Sequence, residues 1–203
     1  FQETRMLHWP DSMVSYIPEK KLLISNDIFG QNIASSARFV DDFNNDSEYE
    51  QRIKEYFYNI VLPYSPMVLK TLPVVEKLDI DMIAPDHGLI QRGEKAVRHI
   101  IGMYRTLAEQ KPAQRALVVY DSMWQSTRTM AYAVCSGLEE NGVPARVMSA
   151  KLNHHSEIMT ELADCGAFVA GSPTHNNTIL PYVASCLTYM KGLRPQNRVG
   201  GAF

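Results

Sequence analysis

The sequence predicts an α/β protein built as two successive units, and three observations carry that reading. Residues 1–110 open with short apolar runs around turn residues and continue into apolar positions at helical spacing. Residues 111–203 alternate continuous apolar runs with helical segments, the pattern of a parallel sheet covered on both faces. Between them, Lys111-Pro112-Ala113-Gln114 is polar and interrupted by proline, as interdomain linkers are.

In the first unit, Met13–Ile17 and Leu22–Ser25 flank Pro18-Glu19-Lys20-Lys21, which predicts two strands joined by a turn. The acidic stretch from Asp41 to Glu50 leads into a helix through Ile60, with Ile53, Phe57, Ile60 and Val61 at helical spacing. Pro63 and Pro66 break it, and a second helix runs from about Pro66 to Lys77. Met82-Ile83-Ala84 reads as a short buried strand and about Gly93–Glu109 as a third helix. In the second unit the strands are Ala116–Tyr120, Ala145–Ser149 and Ala167–Ala170. The helices are about Ser126–Asn141, Ser156–Asp164 and Pro181–Lys191. The chain begins on Phe1 and ends on Gly200-Gly201-Ala202-Phe203, which reads as the start of a buried strand. The expectation is a piece of a longer protein, missing residues at both ends.

Composition excludes several classes. The 203 residues are 45% hydrophobic and 21% charged, with a net charge of −2 and scattered lysines and arginines. No basic face is suggested, so nucleic acid is not an expected partner. No apolar run approaches the roughly 20 residues that span a bilayer, and Phe1–Arg5 is no signal peptide. Cys135, Cys165 and Cys186 are odd in number and widely spaced, which fits buried thiols in a reducing compartment rather than a disulfide framework.

Two loops of the second unit carry chemistry. Ser122-Met123-Trp124-Gln125-Ser126-Thr127 joins its first strand to its first helix. The hydroxyls of Ser122, Ser126 and Thr127 sit where helix-start N–H groups are unpaired and the dipole favours an anion. A phosphate monoester can be held there without a cationic side chain; a plain helix cap by Ser or Thr is the competing reading. The loop lacks the glycine patterns of dinucleotide folds and P-loops. Gly171-Ser172-Pro173-Thr174-His175-Asn176-Asn177-Thr178 follows the third strand, where ligands bind in open α/β sheets. Its backbone, Thr and Asn groups can hydrogen-bond a flat heteroaromatic ring. Together the two loops resemble those of a flavodoxin, the first matching the FMN phosphate loop and the second the loop that flanks the isoalloxazine. Trp124 either stacks near the flavin or packs as a surface aromatic, and His175 contacts the flavin or shapes the loop. The adjacent His154 and His155 point apart, which favours a solvated pair beside a helix start over a metal site.

In the first unit, His8, Asp27 and His87 each read as lying just past a strand. Strand ends converge at a sheet edge, imidazole nitrogen suits iron and zinc, and a carboxylate can bridge two cations. This order of His, Asp and His resembles the second half of the metallo-β-lactamase fold. The phrases Met6–Met13, Ser25–Asn32 and Pro85–Gly88, with the two loops above, resemble the flavodiiron proteins over essentially the whole chain.

That resemblance implies the C-terminal half of a metallo-β-lactamase-like αββα domain over 1–110. A partial flavodoxin-like doubly wound sheet would follow over 111–203. It implies two Fe ions, with His8 and His87 each ligating one, Asp27 bridging both, and further ligands upstream of Phe1. Asp86 or a backbone carbonyl would orient the imidazoles. It implies FMN, a cytoplasmic enzyme reducing O2 to water and/or NO to N2O, and electrons from rubredoxin or a similar donor. It also implies a head-to-tail homodimer that brings one subunit's FMN beside the other's irons. Two other readings stay open: a zinc hydrolase with an appended flavodoxin module, and a non-catalytic electron carrier.

Overall fold

A computed structural model describes the whole chain, Phe1 to Phe203. It divides into two compact units, Phe1–Glu109 and Gln110–Phe203. No helix is long and apolar enough to cross a membrane.

The first unit contains β1 (Gln2–Glu3), β2 (Met13–Ile17), β3 (Leu22–Asn26), α1 (Asp46–Tyr56), α2 (Ser65–Val75), β4 (Met82–Pro85), β5 (Gln91–Arg92) and α3 (Glu94–Glu109). The five strands form one sheet in sequence order. The β3/β4 pair is parallel and the others are antiparallel. The predicted hairpin of β2 and β3 is present, with Ser15 opposite Ile24. Two-residue strands such as β1 and β5 have no period to read, and the sequence pattern missed both.

Asn45 caps α1 by accepting from Glu48 N–H at 3.1 Å. The helix then widens into a π turn over Phe57–Val61, where Phe57, Tyr58 and Val61 are buried. A 3-10 turn at Leu62–Tyr64 accommodates Pro63, and Pro66 sits in the first turn of α2, where its missing N–H costs nothing. Pro73 lies inside α2 without ending it. Tyr104 of α3 is fully buried and donates to Gly30 O at 2.9 Å, which ties the helix to the loop after β3.

The second unit contains β6 (Ala116–Tyr120), α4 (Ser126–Glu140), β7 (Ala145–Ser149), α5 (His155–Leu162), β8 (Ala167–Gly171), α6 (Pro181–Leu193) and β9 (Val199–Ala202). Its four strands are all parallel, in the order β7-β6-β8-β9. All five residues of β6 are buried, as a central strand with helices on both faces requires. Ala131, Val134 and Leu138 of α4 pack over Val118, Tyr120, Val147 and Val169.

One expectation is corrected here. Residues 199–202 do form a strand, but all four are exposed rather than buried. The strand pairs on one side only, with β8, and two of its residues are glycines with no side chain to bury. The ring of Phe203 folds back against Gly171, where a Cβ would stand 2.2 Å from it.

The three cysteines are free and buried. Burial pushes the thiols of Cys165 and Cys186 from 9.0 up to about 11. A thiol held neutral in the fold but free to ionise when unfolded stabilises the fold fully below about pH 9, and loses that contribution as pH rises toward 11. We expect the urea midpoint to fall across that interval, and the fall to flatten in the Cys165→Ala, Cys186→Ala double variant, measured by circular dichroism.

Candidate metal centre and flavin loops

The topology of the first sheet gathers three loops at one edge. β3 and β4 run parallel, with Asn26 opposite Pro85, so Asp27 and the pair Asp86-His87 leave the sheet side by side. β2 runs antiparallel to β3, so the loop that precedes Met13 starts from the same edge. His8 lies in the middle of that loop, Thr4–Ser12, rather than directly after a strand. The loop is held by Thr4 N–H to Ser12 O at 2.9 Å and by Ser12 Oγ donating to Leu7 O at 2.6 Å.

His8, Asp27 and His87 are brought together. His8 Nε2 stands 3.4 Å from one oxygen of Asp27, and His87 Nε2 stands 3.3 Å from the other. Each imidazole therefore addresses its own carboxylate oxygen. The Asp27 side chain is 12% exposed, that of His8 24% and that of His87 52%, so the site is open on the His87 side. A direct charge-assisted hydrogen bond would draw nitrogen and oxygen to about 2.7–2.9 Å. Two donor atoms on one metal, each about 2.1 Å from it at 90–110°, stand roughly 3.0–3.4 Å apart. The observed separations match the second case. No three or more His, Cys, Asp or Glu side chains close around a single point. The triad places one oxygen of a single carboxylate opposite each imidazole.

Aromatic rings wall the imidazoles. Trp9 and Tyr64 have ring centroids 5.9 and 6.2 Å from His8, and Tyr56 lies 5.8 Å from His87. The hydroxyl of Tyr56 is buried without a hydrogen-bond partner. It lies close enough to Asp27 to interact with that carboxylate. Burial first, then the negative charges of Asp27 and Asp86, hold the phenol well above its ordinary range, so it keeps its proton. Nothing in the sequence marks Tyr56, which sits among the apolar positions of α1.

Asp86 does not orient either imidazole. It is exposed, and it contributes its backbone N–H to Asn26 O at 3.0 Å. Its charge acts on Tyr56 instead.

The flavin loops also start side by side, because Tyr120 of β6 is paired with Gly171 of β8. Asp121 N–H donates to Gly171 O at 3.2 Å, and Ser122 N–H to Asp121 Oδ1 at 2.8 Å. Gln125 turns left-handed at φ 70°, and no side chain caps the start of α4. The cap by Ser or Thr is thus absent, and the first-turn N–H groups stay available. Ser122 Oγ is buried without a partner, Thr127 is buried, and Ser126 is exposed. Trp124 is 87% exposed and Met123 42%. A cavity of about 560 Å³ opens beside the loop, lined in part by Ser122, Gln125, Arg128, Lys151 and Asn153. A phosphate fits this cradle: a buried hydroxyl without a partner, an uncapped helix start and two nearby cations.

In the second loop, His175 and Thr178 exchange backbone hydrogen bonds of 2.8 and 3.0 Å across Asn176 and Asn177. Both asparagines are left-handed, at φ 50° and 60°, which makes a type I′ turn. Ser172 Oγ accepts from Leu180 N–H at 2.9 Å and donates to Pro173 O, so it serves the loop itself. His154 caps α5 in a capping box with Glu157, and His155 Nε2 lies 2.9 Å from Ser185 Oγ. That pair is structural.

The architecture is therefore a β-lactamase-like unit followed by a flavodoxin-like unit. The family described as ODP family beta lactamase matches residues 1–88, and the flavodoxin family matches residues 118–200. The rubredoxin-oxygen oxidoreductase of Megalodesulfovibrio gigas is 50% identical over 205 residues, covering 100% of this chain and 51% of the relative. The nitric oxide reductase of Moorella thermoacetica is 41% identical, with 100% and 51% coverage. The crystal structure of the flavodiiron protein from Giardia intestinalis superposes with a TM-score of 0.94 at 34% identity, covering 100% of this chain and 49% of that one. The chain is thus homologous along its whole length to rubredoxin-oxygen oxidoreductase and to flavodiiron proteins, and it spans about half the length of the curated relatives it matches.

We expect Tyr56→Phe to change stability by no more than ~1 kcal/mol in either direction, because the buried hydroxyl it removes makes no well-formed hydrogen bond and interacts only with the nearby Asp27 carboxylate. Urea denaturation of both proteins at pH 7 checks this.

Proposed function

We propose that this chain is part of a flavodiiron reductase that converts O2 to water, NO to N2O, or both. The observation that carries the proposal is a single low-exposure carboxylate, Asp27, facing two imidazoles with one oxygen each. The printed names of the relatives, an oxygen oxidoreductase and a nitric oxide reductase, support the two substrates.

In this reading His8 and His87 would each hold one of two irons, and Asp27 would offer one carboxylate oxygen to each. When bound, the irons and FMN supply the electron transfers that a diatomic substrate needs. The chain's own residues do the positioning. Asp27 would hold both cations, since one carboxylate has an oxygen to offer each. The rings of Trp9 and Tyr64 flank His8, and that of Tyr56 flanks His87. Tyr56 keeps its proton beside Asp27 and adds no second negative charge there. The more exposed His87 side is the side from which a small substrate enters.

The phosphate of FMN would be held by the N–H groups that open α4, with Ser122, Ser126 and Thr127 around it. Met123, Trp124 and Gln125 complete that loop. Ser172, Pro173, Thr174, His175, Asn176 and Asn177 flank the flavin ring. Rubredoxin or a similar donor supplies electrons, the full protein is a head-to-tail homodimer, and it works in the cytoplasm.

Elemental analysis of the purified full-length protein tests the reading: two irons and one FMN per chain are expected, and zinc alone would refute it. Asp27→Ala should retain FMN, lose the iron pair and slow O2 or NO consumption on the order of 100-fold or more. Unchanged consumption would favour a plain electron carrier.

A further inference from the structure

We infer that Gln31 is the positioning residue that fixes Asp27 against His87; this rests on the reading of those two residues as metal ligands. The two lie on separate loops with unusual backbone. Asn26 and Phe29 bracket Asp27 in left-handed conformations, at φ 55° and 70°, and Gly88 follows His87 at φ 89°. Neither loop is held in place by the strand ladder alone, which ends at Asn26 and Pro85.

Gln31 ties them. Its side chain is fully buried, and Nε2 donates to Phe29 O at 3.0 Å and to Leu89 O at 3.2 Å. Oε1 accepts from Leu89 N–H at 2.6 Å, and the backbone N–H of Gln31 donates to His87 O at 3.2 Å. One residue thus grips the backbone just after Asp27, the backbone of His87 itself, and the peptide that follows. Only one amide orientation satisfies these partners, with nitrogen toward two carbonyls and oxygen toward an N–H. Gly88 leaves the necessary space. A Cβ there would stand 2.0 Å from Gln31 Oε1 and 2.3 Å from Gln31 O.

A second buried amide provides a contrast. Gln91 donates to Leu89 O at 2.6 Å and to Tyr49 Oη at 3.3 Å, and bonds nothing in the Asp27 loop. Gln91 braces the same peptide as Gln31 without joining the two ligand loops. A carboxylate shared between two imidazoles tolerates little drift of one loop past the other. Removing a residue that orients metal ligands costs 10- to 100-fold in metal affinity.

The test uses full-length, FMN-loaded protein: wild type, Asp27→Ala, Gln31→Met, Gln31→Glu and Gln91→Met. Iron retention against a chelator, the Mössbauer signature of a coupled iron pair, and the metal-free Tm are measured for each. Gln31→Met is expected to keep FMN, to hold the second iron about 10- to 100-fold more weakly, and to lose the coupled signature. Gln31→Glu, buried and protonated, retains one donor and recovers part of the loss. It also carries the comparison should the Met variant not fold. Gln91→Met is expected to lower Tm yet keep wild-type iron retention. The inference is overturned if neither Gln31 variant alters iron retention, or if Gln91→Met loses iron in the same proportion to its drop in Tm. A wild type without an iron pair, or Asp27→Ala with a normal one, would overturn the proposed function and this inference together.

Discussion

A single carboxylate shared by two imidazoles is the constraint around which the first unit is organised. Desolvating an ionised carboxylate is costly unless partners compensate for it. Asp27 faces imidazole nitrogens at 3.4 and 3.3 Å, one for each carboxylate oxygen, with the Tyr56 hydroxyl nearby. The fold supplies the means for this arrangement. Parallel pairing of β3 with β4 delivers Asp27 and His87 to the same edge, though 60 residues separate them in sequence. Antiparallel pairing of β2 with β3 brings the His8 loop to that edge as well. Left-handed turns then aim the side chains, and the buried amide of Gln31 keeps those turns in register.

Much of this was legible in the sequence, for identifiable reasons. The second unit read clearly because strands such as Ala116–Tyr120 are buried on both faces and carry unbroken apolar runs. His8, Asp27 and His87 stood out because their side chains suit metals and flank apolar runs. The two-residue strands, the π turn after Tyr56 and the exposure of residues 199–202 left no pattern. Gln31 and Tyr56 were illegible for a different reason. A glutamine after a glycine looks like any surface polar residue, and a tyrosine at helical spacing looks like core. Their roles exist only once distant backbone groups converge on them.

The hydroxyl cluster of the phosphate loop shows how far such reading extends. Three hydroxyls within six residues suggested one cradle, yet the fold treats them differently. Ser122 Oγ is buried without a partner, Thr127 is buried, and Ser126 is exposed. Hydroxyl chemistry was visible in sequence; its direction depended on the left-handed turn at Gln125, which no composition signal announces.

Both units place their candidate sites by the same geometric device. In each, the critical loops leave the carboxyl ends of two adjacent parallel strands, β3 with β4 and β6 with β8. Parallel strands release their chains on one side, so groups remote in sequence emerge a few ångströms apart. What differs is the chemistry loaded onto the device. The first unit places charged and imidazole side chains there, which suits cations. The second places backbone N–H groups at the start of a helix, uncapped by any side chain, which suits an anion. Opposite electrostatics on one topological rule give two similar strand ends different donor sets, carboxylate and imidazole in one unit and backbone N–H in the other.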